Sequence, residues 1–129
     1  MKILLIVLSI ILISTTCQAE ESKYFAKWSK QDYIMEATWV TLHLLDWGTT
    51  LDIAARPKEY REVSGAWILG SHPSRSKVNL VMGLAIPLHI GIVHALSKNW
   101  RPWFQGITIG NTGFCVGNNF AIGLHFRLP

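Results

Sequence analysis

The sequence predicts a small all-α membrane protein in which an N-terminal signal segment precedes about three hydrophobic helices and a short extended C-terminal tail. Three observations predict this class. Half of the 129 residues are hydrophobic, the mean hydropathy is positive at +0.27, and residues 78–97 and 102–126 contain no Asp, Glu, Lys or Arg. Without the signal, residues 20–129 are enough for a single domain, here a helical membrane domain.

The first nineteen residues have the three parts of a secretory signal. Lys2 is followed by the apolar run 3–13, which only Ser9 interrupts, and small residues precede the end at Ala19. The run is shorter than the roughly 20 residues of a spanning helix. We therefore expect export to the bacterial cell envelope and cleavage after Ala19. The alternatives are an uncleaved anchor and, with less support, lipidation of Cys17.

The charge and the cysteine content limit which kinds of partner the protein can have. The formal net charge of +4 is not clustered, so it does not form the basic face that binding of nucleic acid requires. Cys115 is the one cysteine after the signal, which excludes the internal disulfides that stabilise many small exported domains. The expected stabilising partners are the lipid bilayer, a second copy, or another envelope or phage protein.

A first long helix is predicted from Ser29 to about Ala55. Ser29 and Asp32 have the spacing of an N-terminal cap, and Pro57 cannot continue the helical hydrogen bonds. Residues 37–55 are long enough to cross a bilayer, but they carry polar side chains, including Asp46. The sequence therefore leaves open whether this helix spans the membrane or lies at its surface.

Two more hydrophobic helices are predicted after a charged loop at residues 56–77. Residues 78–96 are uncharged although Pro87 lies among them. Residues 103–124 are rich in glycine at four-residue spacing, which favours close helix packing in membranes. We expect this third helix to end near Asn119 and to be followed by an extended tail.

If the chain crosses the membrane three times and its N-terminus lies outside, the loop at residues 56–77 lies in the cytoplasm. The loop carries five basic residues, as the positive-inside rule prefers: Arg56, Lys58, Arg61, Arg75 and Lys77. Lys23, Lys27 and Lys30, at the other end of the first helix, oppose this bias. The expected location is the bacterial inner membrane.

Asp46 is the sharpest candidate for a functional residue, because a carboxylate within an apolar helix costs roughly 3 kcal/mol on membrane-insertion scales. His43, Asp46 and Thr50 share one helical face, and the next segment offers His89 and His94 as partners. This intramembrane cluster predicts either a proton or metal site, or a structural hydrogen bond that fixes helix register. The five-residue spacing of His89 and His94 does not match helical zinc-binding pairs, so no metal is expected.

The sequence carries no recognisable catalytic machinery. It lacks a G-x-S-x-G nucleophile elbow, a P-loop and a dinucleotide-binding fingerprint. We therefore expect no catalytic residue and no cofactor, and we expect that the protein is not an enzyme.

The polar loop between the first two hydrophobic segments is a second candidate region, since loops often carry function. Its candidate surface consists of Glu62, His72, Ser74 and Asn79. The alternative is a tight turn in which Ser74 caps the following helix.

The motifs of the chain resemble those of a group of small membrane proteins from bacteria and their phages or prophages. The resemblance covers roughly residues 30 to 125 and rests on an Asp-x-Gly-x-Thr run beginning at Asp46, a Leu-Gly-x-His-Pro-Ser run ending at Ser74, and a Val-Asn pair ending at Asn79. Thr49 or Thr50 stands where that group usually has Gln, and Val63-Ser64-Gly65 replaces an Asn-Pro pair. The resemblance implies a phage- or prophage-associated membrane protein and no particular activity.

Three functions are compatible with these observations. The first is a non-enzymatic inner-membrane protein that acts through envelope contacts, for example in superinfection exclusion or lysis. The second is an intramembrane enzyme or an ion- or proton-handling protein built on Asp46 and the histidines. The third is a soluble periplasmic helical domain whose apolar segments form an ordinary core.

Overall fold

The computed structural model describes residues 23–129, and within them every regular element is a helix. The elements are α1 (Lys30–Ala55), α2 (Ala66–Leu69), α3 (Arg75–Ala95) and α4 (Arg101–Ala121). The all-α class is therefore confirmed, and residues 124–129 form an irregular tail. The signal segment predicted at residues 1–19 lies outside the described residues.

The ends of α1 agree with the sequence prediction. The Ser29 hydroxyl accepts a hydrogen bond from the Asp32 N–H at 3.1 Å, and the Asp32 carboxylate accepts one from the Ser29 N–H at 2.7 Å. This reciprocal capping box satisfies two N–H groups that a helix start leaves unpaired. The helix ends at Ala55, and Pro57 follows two residues later.

Helices α3 and α4 both begin a few residues before their predicted starts. Ser74 caps α3 by accepting a hydrogen bond from the Lys77 N–H, so that the polar turn 75–77 joins the helix. Pro87 lies inside α3 without ending it. Pro102 occupies the first turn of α4, where its missing N–H costs nothing. Helix α4 ends at Ala121, two residues beyond Asn119.

Helix α1 is the centre of the bundle, since it packs against both α4 and α3, whereas α3 and α4 meet only sparingly. The apolar core is small and lies towards the C-terminal end of α1. Its buried members are Leu51, Leu69, Val78 and Met82, with Trp47 packed against them. The C-terminal tail folds back onto this end of α1, where Leu124 is buried.

Polar side chains are buried along the whole bundle, and many large apolar side chains are exposed. Eleven polar or charged residues are buried among those described: Asp32, Glu36, His43, Thr49, Thr50, Asp52, Glu62, His89, Arg101, Gln105 and Thr112. Large apolar residues of all three long helices are exposed, including Ile34, Leu84 and Phe114. This distribution is the reverse of an ordinary soluble core.

One described helix, α3, is long and apolar enough to cross a membrane by length and composition. Only 22 % of its most apolar window is buried inside the molecule, whereas the core helix of a soluble protein is mostly buried. Helices α1 and α4 do not meet the same criterion, so the expectation of three hydrophobic spanning helices stays a prediction for these two.

Candidate functional site

Four buried residues of α1 and the half-buried Asp46 form a continuous stripe on its inner face. Asp32, Glu36, Trp39, His43 and Asp46 follow one another at alternating spacings of four and three residues, which keeps them on one side of the helix. We call these five residues the inner stripe of α1. Residues of α3 and α4 contact it along its length, so its polar groups find their partners inside the bundle.

Arg101 contacts the first residue of the stripe. Its guanidinium is completely buried, and Nη1 lies 3.6 Å from Oδ2 of Asp32. The guanidinium also donates to five backbone carbonyl groups, those of Ala26, Lys27, Val93, His94 and Leu96. Arg101 therefore joins the turn between α3 and α4 to the segment that leads into α1.

Glu36 and His89 form a second deeply buried pair of titratable groups. Nδ1 of His89 lies 2.8 Å from Oε1 of Glu36, and both side chains are at least nine-tenths buried. Gln105 of α4 donates through Nε2 to the other carboxylate oxygen of Glu36, at 3.0 Å. Nε2 of His89 lies 2.9 Å from the hydroxyl of Thr108. The pair therefore connects α1, α3 and α4.

Trp39 lies between two imidazole rings. Its ring stacks on that of His89 with centroids 3.6 Å apart and planes 6° apart. His43 stacks on the same residue at 4.8 Å. Nε2 of His43 lies 2.9 Å from the carbonyl oxygen of Met82 in α3. The structure therefore brings two of the predicted histidines together, with an indole ring between them.

Asp46 lies further along the stripe and has different partners. Its Oδ1 accepts a hydrogen bond from Asn119 at 3.1 Å, and Asn119 also donates to Thr49 at 2.9 Å. The buried Thr50 lies one residue further along. Asp46 thus joins α1 to the end of α4 through a neutral amide, and no histidine is among its hydrogen-bond partners in the described part of the chain.

Asp52 holds the C-terminal tail on the end of α1. Its carboxylate is fully buried and accepts hydrogen bonds from Arg56, Arg127 and the N–H of His125. The hydrogen bond to Asp52 raises the pKa of the Arg56 guanidinium above its usual value. This cluster fixes the tail in an extended path instead of a fourth long helix.

The remaining predicted residues lie apart from the stripe. His94 is exposed, and its ring meets Phe25 edge-on at 5.5 Å. In the loop, Glu62 is buried and accepts from the Gly65 N–H at 2.7 Å, whereas His72 is exposed. Ser74 caps α3 as described above, and Asn79 accepts from the Trp47 indole at 2.9 Å.

The sequence analysis did not predict a role for Glu36, Arg101 or Gln105. The signal was nevertheless present, because the same alternating four- and three-residue spacing that linked His43 to Asp46 continues backwards through Trp39 to Glu36. The roles of Arg101 and Gln105 depend on how α4 is placed against α1, which spacing within one helix does not encode.

The described residues contain no group of three or more His, Cys, Asp or Glu side chains that could hold a metal ion. The site is therefore a hydrogen-bonded polar core with two stacked histidines and one deeply buried carboxylate–imidazole pair. Compared with protein-family models, with curated protein sequences and with solved structures, the chain matches none of them.

Proposed function

We propose that the protein is a non-enzymatic integral protein of the bacterial inner membrane that acts through contacts with envelope or phage proteins. The proposal rests on the distribution of side chains, since α1, α3 and α4 bury polar groups and expose large apolar groups. In lipid, apolar side chains face outward without penalty, and polar groups must be satisfied inside the bundle.

The positions of the charged clusters support spanning by α1 as well as α3. Asp32 and Asp52 mark the two clusters and are separated by twenty residues of one helix, which corresponds to about 30 Å at 1.5 Å per residue. The hydrocarbon core of a bilayer is also about 30 Å thick. Trp100 and Trp103 are exposed beside the Arg101 cluster, as expected of aromatic residues at a membrane interface.

The proposed orientation places the N-terminal end of α1 outside and the loop at residues 56–77 in the cytoplasm. The basic residues of that loop support this orientation. The resemblance to small phage- and prophage-associated membrane proteins supports a role in superinfection exclusion or lysis. Both roles need lateral contacts with proteins, and neither needs a catalytic residue.

The exposed face of α4 offers room for such a lateral contact. No heavy atom outside the local backbone lies within 4 Å of a β-carbon built at Gly110 or Gly117. Small residues at a helix surface let another helix approach closely in a membrane. A second copy of the chain or another envelope protein can therefore pack here.

The proposal is tested by an alkaline carbonate wash of membranes from cells that express a C-terminally tagged copy. We expect the protein to stay in the membrane pellet at a mass that shows removal of residues 1–19. A lipoprotein and a soluble periplasmic protein of the same cells serve as controls. Release into the supernatant would exclude the integral protein and favour a periplasmic helical domain.

An intramembrane enzyme or ion-handling protein based on Asp46 has less support. Asp46 is paired with Asn119 and Thr49, which is the arrangement of a register-fixing hydrogen bond. Replacing Asp46 with Asn separates the two roles, because a hydrogen bond survives an amide whereas proton or metal chemistry does not. We expect the Asp46→Asn variant to keep its activity in an exclusion or lysis assay.

A further inference from the structure

We infer that a groove between the segment leading into α1 and the turn between α3 and α4 binds the headgroup phosphate of an anionic phospholipid. The groove has a volume of about 730 Å³ and is lined by residues 23–27 and 97–99. We call it the lysine groove, after Lys23, Lys27 and Lys98. The inference rests on the proposed function, because a lipid ligand requires a protein that lies in a membrane, and it adds a specific ligand to that function.

Folding brings the three lysines of the groove together. Lys98 is far from Lys23 and Lys27 along the chain, yet all three line the same groove. All three residues are exposed, and within residues 23–129 none of their ammonium groups takes part in an ion pair. An ammonium group binds phosphate as a compact positive charge. Lysine side chains from both walls can therefore reach an anion in the groove.

Acidic side chains do not line the groove in the described part of the chain. The next acidic residues along α1, Asp32 and Glu36, are buried and contact Arg101 and His89. Their carboxylates therefore point away from the lysines. Glu20 and Glu21 precede Lys23 in the sequence, and the test below for this reason targets Lys27 and Lys98, which are further from them along the chain.

Arg101 holds the two walls of the groove in place. Its guanidinium donates to the carbonyl oxygen of Ala26 at 2.7 Å on one wall and to that of Leu96 at 3.0 Å beside the other. Phe25 has a φ of 57°, in the left-handed region that bulky residues rarely adopt, so the segment follows one particular path there. A site whose walls are fixed before binding loses less entropy when the ligand binds.

The groove lies at the level where the most apolar helix ends. Helix α3 ends at Ala95, two residues before Ser97 of the groove, and its last turns expose Leu88 and Ile92. Trp100 is exposed directly after the groove residues, as expected of an aromatic residue at a membrane interface. Basic pockets beside membrane helices bind anionic headgroups. A phospholipid is favoured over a free phosphate, because its acyl chains can also contact the apolar side chains of α3.

The test is native mass spectrometry of the full chain in a neutral detergent, titrated with phosphatidylglycerol and separately with zwitterionic phosphatidylcholine. We expect phosphatidylglycerol to bind at least about tenfold more tightly than phosphatidylcholine. In Lys27→Gln/Lys98→Gln we expect the affinity for phosphatidylglycerol to fall by at least about tenfold, because each lysine near an anionic headgroup contributes about fivefold.

Lys58→Gln/Lys77→Gln is the matched control, because it removes the same charge from two exposed lysines of the loop at residues 56–77. It should leave the affinity unchanged. Equal affinity of the parent protein for the two lipids, or an equal loss in both double variants, overturns the inference. Displacement of phosphatidylglycerol by an equal concentration of glycerol 3-phosphate also overturns it, because the groove would then bind the free phosphate as well as the lipid.

The carbonate wash separates a failure of this inference from a failure of the proposed function. Lys27→Gln/Lys98→Gln changes no apolar residue and should stay in the membrane pellet with the parent protein. If the parent protein resists the wash but does not prefer phosphatidylglycerol, the inference about the lysine groove alone is overturned. Release of the parent protein by the wash overturns the integral membrane protein and, with it, the lipid ligand.

Discussion

The aromatic ring of Phe126 lies directly against the α-carbon of Gly48, the one glycine in α1. The N–H of Arg127 donates to the carbonyl oxygen of the same glycine at 3.1 Å. The C-terminal tail therefore crosses α1 where the helix has no side chain, and this contact continues into the cluster around Asp52.

Replacing Gly48 with Ala should displace the tail. A β-carbon would overlap the Phe126 ring, and overpacking of this kind costs about 1–3 kcal/mol, more than the gain of up to about 1 kcal/mol in helix propensity. We expect a lower melting temperature in detergent and faster proteolysis of a C-terminal tag.

Gly91→Ala is the matched control, because nothing in the structure lies within 4 Å of a β-carbon there. It should keep or raise the melting temperature. Equal stability and equal tag protection in both variants would contradict the docked position of the tail.

Asp52→Asn should weaken the same end of the molecule. The carboxylate is fully buried and accepts hydrogen bonds from two guanidinium groups and a backbone N–H. The amide nitrogen of Asn is a donor and would face one of these three donors, which would lose its acceptor. We therefore expect a loss of about 1–3 kcal/mol in the free energy of unfolding. Urea unfolding in mild detergent measures it.

Glu59→Gln provides the comparison for Asp52→Asn, since Glu59 bonds the same Arg56 from an exposed position. Exposed ion pairs contribute about 0–1 kcal/mol. A loss for Asp52→Asn no greater than that for Glu59→Gln would show that the tail does not depend on the carboxylate.

Arg101→Lys should destabilise the bundle although the charge is kept. The planar guanidinium of Arg101 donates hydrogen bonds to five carbonyl groups, whereas all three donors of a lysine are on its single ammonium nitrogen. Unsatisfied buried carbonyls cost about 1–3 kcal/mol each. We expect a clear fall in melting temperature, and Lys98→Arg on the exposed turn should cause none.

Asn119→Leu should cost more stability than Asp46→Asn. The leucine removes the donor that satisfies both Asp46 and Thr49 and leaves a half-buried carboxylate without its amide partner. Asn at position 46 can still accept from Asn119, so we expect a change within about 1 kcal/mol. Thermal unfolding of the two variants checks this order, and the reverse order would contradict a structural role for the Asp46–Asn119 contact.

Local signals in the sequence are sufficient to place the three long helices and most of their ends. Ser29 with Asp32, Ser74 and Pro57 act over three or four residues, and such local signals are readable in order along the chain. The long uncharged stretches likewise predicted where α3 and α4 lie. The starts of α3 and α4 were placed two or three residues late, because an apolar run begins after the polar turn that caps the helix.

Which polar residues meet depends on how the helices pack against one another. The sequence offered His89 as a partner of Asp46, yet Asp46 contacts Asn119 and His89 contacts Glu36, because the rotation and height of α3 and α4 against α1 select the partners. Arg101 lies next to the exposed Trp100 and two residues before the exposed Trp103, yet its own side chain is completely buried. The spacing of residues along a helix shows which of them share a face. The partner of each residue across the bundle depends on how whole helices pack, and the spacing within one helix does not show that.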